Sequence, residues 1–452
     1  MRARTGFCSR LREFRSDRSG NFALATAAVA SALVAGGGFA MNLAQITLTR
    51  SNLSNALDSA VTSTARDLTT GKVAPDDVDA LVLAFVKANG STGFANQDRI
   101  TLDRVTIDRQ ARTVSAVAST EIDLAFPVFK ASASRLIQVE STALYSDRKI
   151  EVAMMLDITG SMSGRKLRDL QAAASNVVDT FLSGQNATDP RVRLAIVPYA
   201  DAVNTGVLAP VVHVEAGFTT GEPPVLEDNG FVSASLRKTG LLLDGSRRPD
   251  SCATERKGAQ QFTDASPRKA MVNRDYRLAF CPSAALEPLT ADASRLKATI
   301  GAFRASGHTA GHIGIQWSWY MLSRKWADVL PAGSRPLASN AKKVGKFAIL
   351  MTDGEFNTAF AGVPRGGTTK GGQSRRSRNQ AERLCEEMKK QGIEIFTVGF
   401  QLRERNAKQV MQACASPDRG SIQHYFEAAS GQELDAAFQE IASNIERLAI
   451  IK

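Results

Sequence analysis

Apolar and polar positions change their spacing several times along this chain, and each change marks an element. Phe22 to Leu43 is almost wholly apolar and lies within an uncharged stretch, Ser19 to Thr49. A run of about 20 such residues is long enough to cross a bilayer as a helix. Leu43 to Leu68 continues in helical fashion. Pro75 to Asn89 reads as a short helix with Asp76 and Asp77 in its first turn, where the helix dipole favours acids. From Ile100 to Ser146 the period drops to two, with Ile100, Leu102, Val105 and Ile107, then Val114, Ala116 and Ala118, then Ile137 and Val139. That is the mark of half-buried strands, and it predicts a small β-rich domain.

After Lys149 short apolar runs alternate with helical stretches. Strands are predicted at 150–156, 192–199, 346–351, 393–399 and 422–427, and helices at 166–182, 293–304, 312–325, 379–391, 405–414 and 431–448. Such alternation predicts an α/β fold, a Rossmann-like and mostly parallel sheet with helices on both faces. Between Asp201 and Leu289 the pattern breaks into Gly, Pro and charged residues, as expected of an insertion that shapes a binding surface on the rim. Ala361 to Arg378, with Arg365, Lys370, Arg375, Arg376 and Arg378, reads as a basic loop, either plainly solvated or a docking surface for an acidic partner. The expected organisation is a basic arm (1–18), a transmembrane helix (19–48), a helix with a β-rich stalk (49–148) and the α/β domain (149–449) with its insertion at about 201–289.

The candidate chemistry sits at the first strand of that domain. The apolar run Ile150 to Leu156 stops at Asp157, then Thr159, Gly160 and Ser161 follow, and from Lys166 one helical face carries Leu167, Leu170, Ala174, Val177, Val178 and Phe181. A carboxylate and two hydroxyls thus lie at the carboxyl end of a buried strand, where open α/β sheets bind ligands. Hard oxygen donors of this kind suit Mg²⁺ or Ca²⁺.

Asp157-Ile158-Thr159-Gly160-Ser161 resembles the Asp-x-Ser-x-Ser motif that opens the metal-ion-dependent adhesion site of von Willebrand factor A domains, with Thr159 in place of the first Ser. Two later stretches match the family's other motifs in order. Thr309 lies in Ser306-Gly307-His308-Thr309-Ala310-Gly311 before the apolar run Ile313 to Leu322, and Asp353 ends the strand Lys346 to Met351. The resemblance implies that Thr159, Ser161 and Thr309 touch a Mg²⁺ (or Mn²⁺ or Ca²⁺) directly and that Asp157 and Asp353 act largely through waters. It also implies one position open to an acidic group of a partner. Asp157 and Asp353 are expected beyond the strand ends, so that removing them spares the fold.

The segment before the α/β domain is similar to the amino-terminal region of TadE/TadG-like proteins of the tight adherence (Tad, Flp) pilus system. Gln45 and Asn55-Ala56-Leu57-Asp58-Ser59-Ala60 carry that looser match. An anchor of this kind followed by an A domain points to the TadG-like group. The resemblance implies a pilus assembly or adhesion protein whose partner is a pilus or envelope assembly component.

Charge bears on topology and partners. The net charge is +11, and Arg2, Arg4, Arg10, Arg12, Arg15 and Arg18 precede the apolar run against Glu13 and Asp17. A basic arm before a span predicts a cytoplasmic amino terminus, hence a single-pass inner-membrane protein with its bulk in the periplasm. The excess also raises anionic envelope polymers or nucleic acid. No aromatic-interleaved basic patch appears, so nucleic acid is not expected. A cleaved signal peptide would end near Gly38-Phe39-Ala40, but the apolar run continues to Ile46. A processed prepilin would carry Glu five residues after Gly20, where Ala25 stands. An uncleaved anchor is the favoured reading.

Cys8 lies in the basic arm, whereas Cys252 and Cys281, and Cys385 and Cys414, form two pairs of equal spacing. Without a CxxC spacing, zinc or redox motifs are not expected, and an oxidising periplasm would permit both bridges. His308 and His312 have zincin spacing but lack the intervening Glu. No GxSxG or Walker A loop appears, and His213 and His424 are lone residues read as structural. The chain is therefore read as a non-enzyme. An envelope metal-dependent hydrolase, or a structural protein with an inactive metal site, are the competing readings.

Overall fold

In a computed structural model, the structure describes residues 20–90, 97–126, 134–185, 189–215, 251–275, 278, 280–340, 343–362 and 370–451. The basic arm, residues 216–250 of the insertion and 363–369 of the basic loop lie outside the described residues. The chain divides into two units, Met1–Ala65 with Ala74–Tyr145, and Arg66–Val73 with Ser146–Lys452.

In the first unit the predicted span and the helical stretch after it are one helix, α1 (Gly20–Thr70), whose last turn belongs to the second unit. No proline interrupts it, and 51 residues make it about 76 Å long. Leu24 to Thr70 is long and apolar enough, by length and composition, to cross a membrane. Leu24, Leu33 and Phe39, on more than one side of this helix, are about 70% exposed. Further along, Leu53, Leu57 and Val61 are buried, as are Val78, Val82 and Val86 of α2 (Val78–Asn89). Strands β1 (Ile100–Asp108), β2 (Thr113–Asp123) and β3 (Ser134–Leu144) form an antiparallel sheet in that order. Gln45 ties α1 to the end of β2, its amide donating to the Asp123 carbonyl at 3.0 Å.

The second unit holds a six-stranded sheet. Its principal strands are β4 (Lys149–Asp157), β5 (Val192–Tyr199), β6 (Glu287–Thr290), β7 (Val344–Thr352), β8 (Glu394–Phe400) and β9 (Tyr425–Ala428), in the order β6-β5-β4-β7-β8-β9. All neighbours are parallel except the edge strand β6, which runs antiparallel to β5. The sheet is doubly wound. From β4 the chain builds outward through β5 on one side and, from β7, through β8 and β9 on the other. The order therefore reverses between β4 and β7, the place where open α/β sheets leave a crevice.

The apolar runs are continuous because both faces of each central strand are covered. Val152, Met154 and Leu156 pack toward α3 (Arg165–Leu182), α4 (Ala293–Gly301) and α8 (Gly431–Ile451). Ala153 and Met155 face α5 (Gly311–Leu322), α6 (Lys370–Lys390) and α7 (Arg405–Cys414). Both disulfides are formed: Cys385–Cys414 joins α6 to α7, and Cys252–Cys281 staples the insertion.

One local expectation is corrected. The basic loop is helical from Lys370. That helix buries Ser374, Ser377 and Gln380 ahead of Ala381 and Leu384, a partly polar face that apolar spacing does not register. The described parts of the insertion are packed against the domain. Val203–Asn204 pairs with Cys252–Ala253, His213–Glu215 with Val272–Arg274, and Val203, Val212, Ala253 and Leu278 join the core on the α5 side.

Candidate metal centre

Asp157 is the last residue of β4, beside the crevice between β4 and β7. Its backbone neighbours fix the loop that follows. Asp157 Oδ1 accepts the Thr159 amide at 2.9 Å, a tight Asx turn. Met162, wholly buried, pins the short turn Gly160–Met162 to the core, and Gly164, at φ 79°, lets the chain enter α3.

The Thr309 loop locks onto this one. The Gly160 amide donates to the Gly307 carbonyl (3.1 Å) and the Ser306 amide to the Ile158 carbonyl (3.0 Å). Gly307 is required: φ is 77°, and a Cβ there would lie 2.1 Å from Asp201 Oδ2, which accepts the next amide, His308, at 2.7 Å. The third loop closes the set through Asn357. Its side-chain oxygen accepts the Thr309 amide (2.9 Å), and its own amide donates to the Thr309 carbonyl (2.8 Å). The three predicted loops are thus held against one another by main-chain hydrogen bonds.

Their side chains form a chain of oxygens. Thr159 Oγ1 and Ser161 Oγ share a hydrogen bond at 2.9 Å, and Ser161 donates to Asp353 Oδ1 at 2.5 Å. Lys166 Nζ donates to Asp353 Oδ2 at 2.8 Å. Asp157 Oδ2 accepts Tyr199 Oη (2.9 Å), Thr352 Oγ1 (2.8 Å) and, more distantly, the Asp353 amide (3.4 Å). Thr159, Thr309 and Asp353 are buried, whereas Ser161 is exposed.

This corrects the expectation for Asp157, which is the last residue of β4 rather than beyond it, whereas Asp353 directly follows the end of β7. Asp157 is fully buried and bonds Tyr199 of β5 and Thr352 of β7. Removing its carboxylate would take an acceptor from four donors, so Asp157→Ala does not separate binding from folding. Burial, and then the neighbouring Asp353 charge, push the Asp157 carboxyl up to about 6, and burial beside Asp157 raises the Tyr199 phenol. Burial raises the Asp201 carboxyl against the lowering effect of His308.

The donor set fits a hard divalent cation. It is all oxygen, and it sets two carboxylates against one ammonium. Among the described residues no three His, Cys, Asp or Glu side chains form a metal cluster. Tyr199, Asp201, Thr352, Asn357 and Lys166 were not singled out by sequence. Lys166 alone carried a local signal, a cation in the first turn of a helix.

His308 and His312 do not converge. His308 lies in the loop, its Nδ1 3.1 Å from Asp201 Oδ1, while His312 in α5 meets Ser377 Oγ at 2.8 Å. With Glu255 3.7 Å from its other nitrogen, His312 completes a Ser–His–Glu row whose members are all buried, which ties α6, α5 and the insertion together without facing solvent. His424 is likewise buried, between Glu394 and Asp418.

No family model matches the chain, and no curated protein matches it. Several solved structures are similar. The von Willebrand factor domain of the type V pili tip protein Mfa5 from Porphyromonas gingivalis shares 16% identity over 68% of this chain and 97% of that one, at a TM-score of 0.38. The pilus adhesin SpaC from Lactobacillus rhamnosus GG shares 13% identity over 77% of this chain and 34% of that one, at 0.38. Proximal thread matrix protein 1 from the mussel byssus, with a zinc-occupied MIDAS motif, shares 14% over 67% and 46%, at 0.32.

Proposed function

We propose that the chain is a membrane-anchored adhesion or pilus-assembly protein whose α/β domain binds a protein partner through a divalent cation. The observation that carries the reading is the interlocking of three loops at the switch point of the sheet, with Asp157, Thr159, Ser161 and Asp353 in one chain of oxygens and Thr309 clamped beside them. In this reading Thr159, Ser161 and Thr309 offer hydroxyls to Mg²⁺ or Mn²⁺, and the two carboxylates balance its charge. The remaining position takes a carboxylate of the partner. The long apolar α1 is read as the anchor, with the amino terminus in the cytoplasm and the rest in the periplasm. The TadG-like resemblance supplies the class of partner, a component of a pilus or envelope assembly. The domain boundaries given above are proposed with it.

Thr309→Ala tests this with least disturbance, because both backbone bonds to Asn357 survive it. Full-length protein in detergent should melt at higher temperature with Mg²⁺, and the variant should lose that gain. Partners crosslinked in envelopes should be captured by wild type with Mg²⁺, and lost in EDTA or with Thr309→Ala. Capture that persists undiminished in both rules the reading out.

A further inference from the structure

We infer that Lys166 is the built-in counter-cation of the metal centre and competes with the divalent ion for the Asp353 carboxylate. The inference rests on the metal-dependent reading and deepens it. Lys166 is the second residue of α3, at the end where a helix carries its positive partial charge. That first turn holds Arg165 and Lys166, with Arg168 after them, and no acidic residue. By helix electrostatics alone, cations there are unfavourable.

The two are disposed differently. The Arg165 side chain is 86% exposed and only approaches Asp169, at 3.6 Å, so it is a solvated surface charge. Lys166 turns inward: its ammonium lies 2.8 Å from Asp353 Oδ2, with its side chain 27% exposed and that of Asp353 fully buried. Ser161 holds the other oxygen of the same carboxylate. Among the described residues this is the one ion pair made by either rim acid. The ammonium therefore supplies the positive charge that two neighbouring carboxylates call for.

A dication entering between Asp157 and Asp353 meets a positive charge already in place. The two repel, and the flexible lysine stem, already partly in solvent, provides the way out. A monovalent ion brings no more charge than the ammonium it displaces. Lys166 thus sets a threshold that a dication passes and a monovalent ion does not. Asp353 then always has a cationic partner, first the lysine and then the metal.

The test compares wild type with Lys166→Met, Lys166→Gln and Lys166→Arg, each as the full chain in detergent, by Mg²⁺ calorimetry and by melting with and without EDTA. Met and Gln should tighten Mg²⁺ binding about tenfold at low salt, the scale on which one partly solvated charge acts on another a few Å away, and the gap should narrow as salt screens it. Arg should stay near wild type. In EDTA the Met and Gln proteins should melt below wild type, and Mg²⁺ should close the difference. If Met does not fold without metal, the Gln variant, which keeps a hydrogen-bond donor, gives the answer. Unchanged or weaker Mg²⁺ binding in Met and Gln, with wild type binding normally, overturns the role of Lys166 alone. No Mg²⁺ binding by any of the four overturns it together with the metal reading.

Discussion

The two ends of strands β4 and β7 are built from similar ionic parts and finished in opposite ways. At the amino end, Glu151 and Lys346 are direct cross-strand neighbours, both buried. Lys346 Nζ donates to Glu151 Oε2 at 2.8 Å and to the Leu322 carbonyl at 2.5 Å. Arg193 binds Glu151 Oε1, which also takes the Leu337 amide at 2.9 Å, and donates as well to the Gly333 and Arg335 carbonyls at 2.9 and 2.8 Å. Each charge there is satisfied by the protein. At the carboxyl end the one ammonium, that of Lys166, pairs with Asp353 alone, and the other partners of Asp157 and Asp353 are hydroxyls and amides. Burial does not distinguish the two ends. On the metal-dependent reading proposed above, the difference lies in where the remaining counter-charge comes from: at the amino end the carboxylate has two cations of the chain, and at the carboxyl end the second cation would come from solution.

The largest effect should come from breaking the complete end. Glu151→Ala leaves Lys346 buried without its carboxylate, and urea unfolding should show a loss of about 3–5 kcal/mol that Mg²⁺ does not restore. A loss below about 1 kcal/mol would mean that the amino-end network is dispensable and the contrast is false.

Next comes pH. Without metal, burial and then the Asp353 charge push the folded Asp157 carboxyl up to about 6, against 3.8 for the ordinary carboxyl. A folded pKa that is raised adds stability below the unfolded value and loses it as pH climbs through the folded one. Metal-free protein should therefore lose about 3 kcal/mol between pH 4 and 6 from this group, visible as falling urea midpoints. Asp157→Asn should flatten the slope, and an equal slope in that variant would assign it elsewhere.

Metal addition should be somewhat smaller. Mg²⁺ at a hundred times its dissociation constant should stabilise wild type by about 2.7 kcal/mol through mass action. Glu151→Ala should show the same gain on its lower baseline, since the two ends act independently.

Smallest is Thr159→Ser, which keeps the oxygen and removes a buried methyl. It should cost about 1 kcal/mol of stability and leave Mg²⁺ affinity unchanged. Thr159→Val should keep the bulk and lose Mg²⁺. Equal binding by the two variants would show that the Thr159 hydroxyl is not a donor.

Much of this architecture was legible in residue order. The strand runs Ile150 to Leu156 and Val192 to Tyr199 could be read because strands covered on both faces are continuously apolar. The helix Arg405–Cys414 matched its predicted bounds because one face carries Ala407, Val410, Met411 and Cys414. Edge strand β6 escaped notice: Glu287–Thr290 is four residues long and includes a proline, so it has no period to read. Helix α6 was seen only from 379 because its first turns bury serine and glutamine rather than leucine.

The sequence by itself determined which oxygens lie on one loop, since Asp157, Thr159 and Ser161 are contiguous and their turn is local. It also determined the order of the elements and the apolar length of α1. Tertiary structure alone decided what those oxygens face. Tyr199, Thr352, Asn357 and Asp201 reach the rim from two other segments, and no local pattern encodes a contact made across 40 to 200 residues. It decided, too, that Asp157 is a buried member of a network rather than a projecting ligand, and that Lys166 points at Asp353 while Arg165 stays in water. The physical reason is that a residue's type fixes which bonds it is able to make, whereas burial and charge balance, which decide the bonds it does make, are set by neighbours that only the folded sheet assembles.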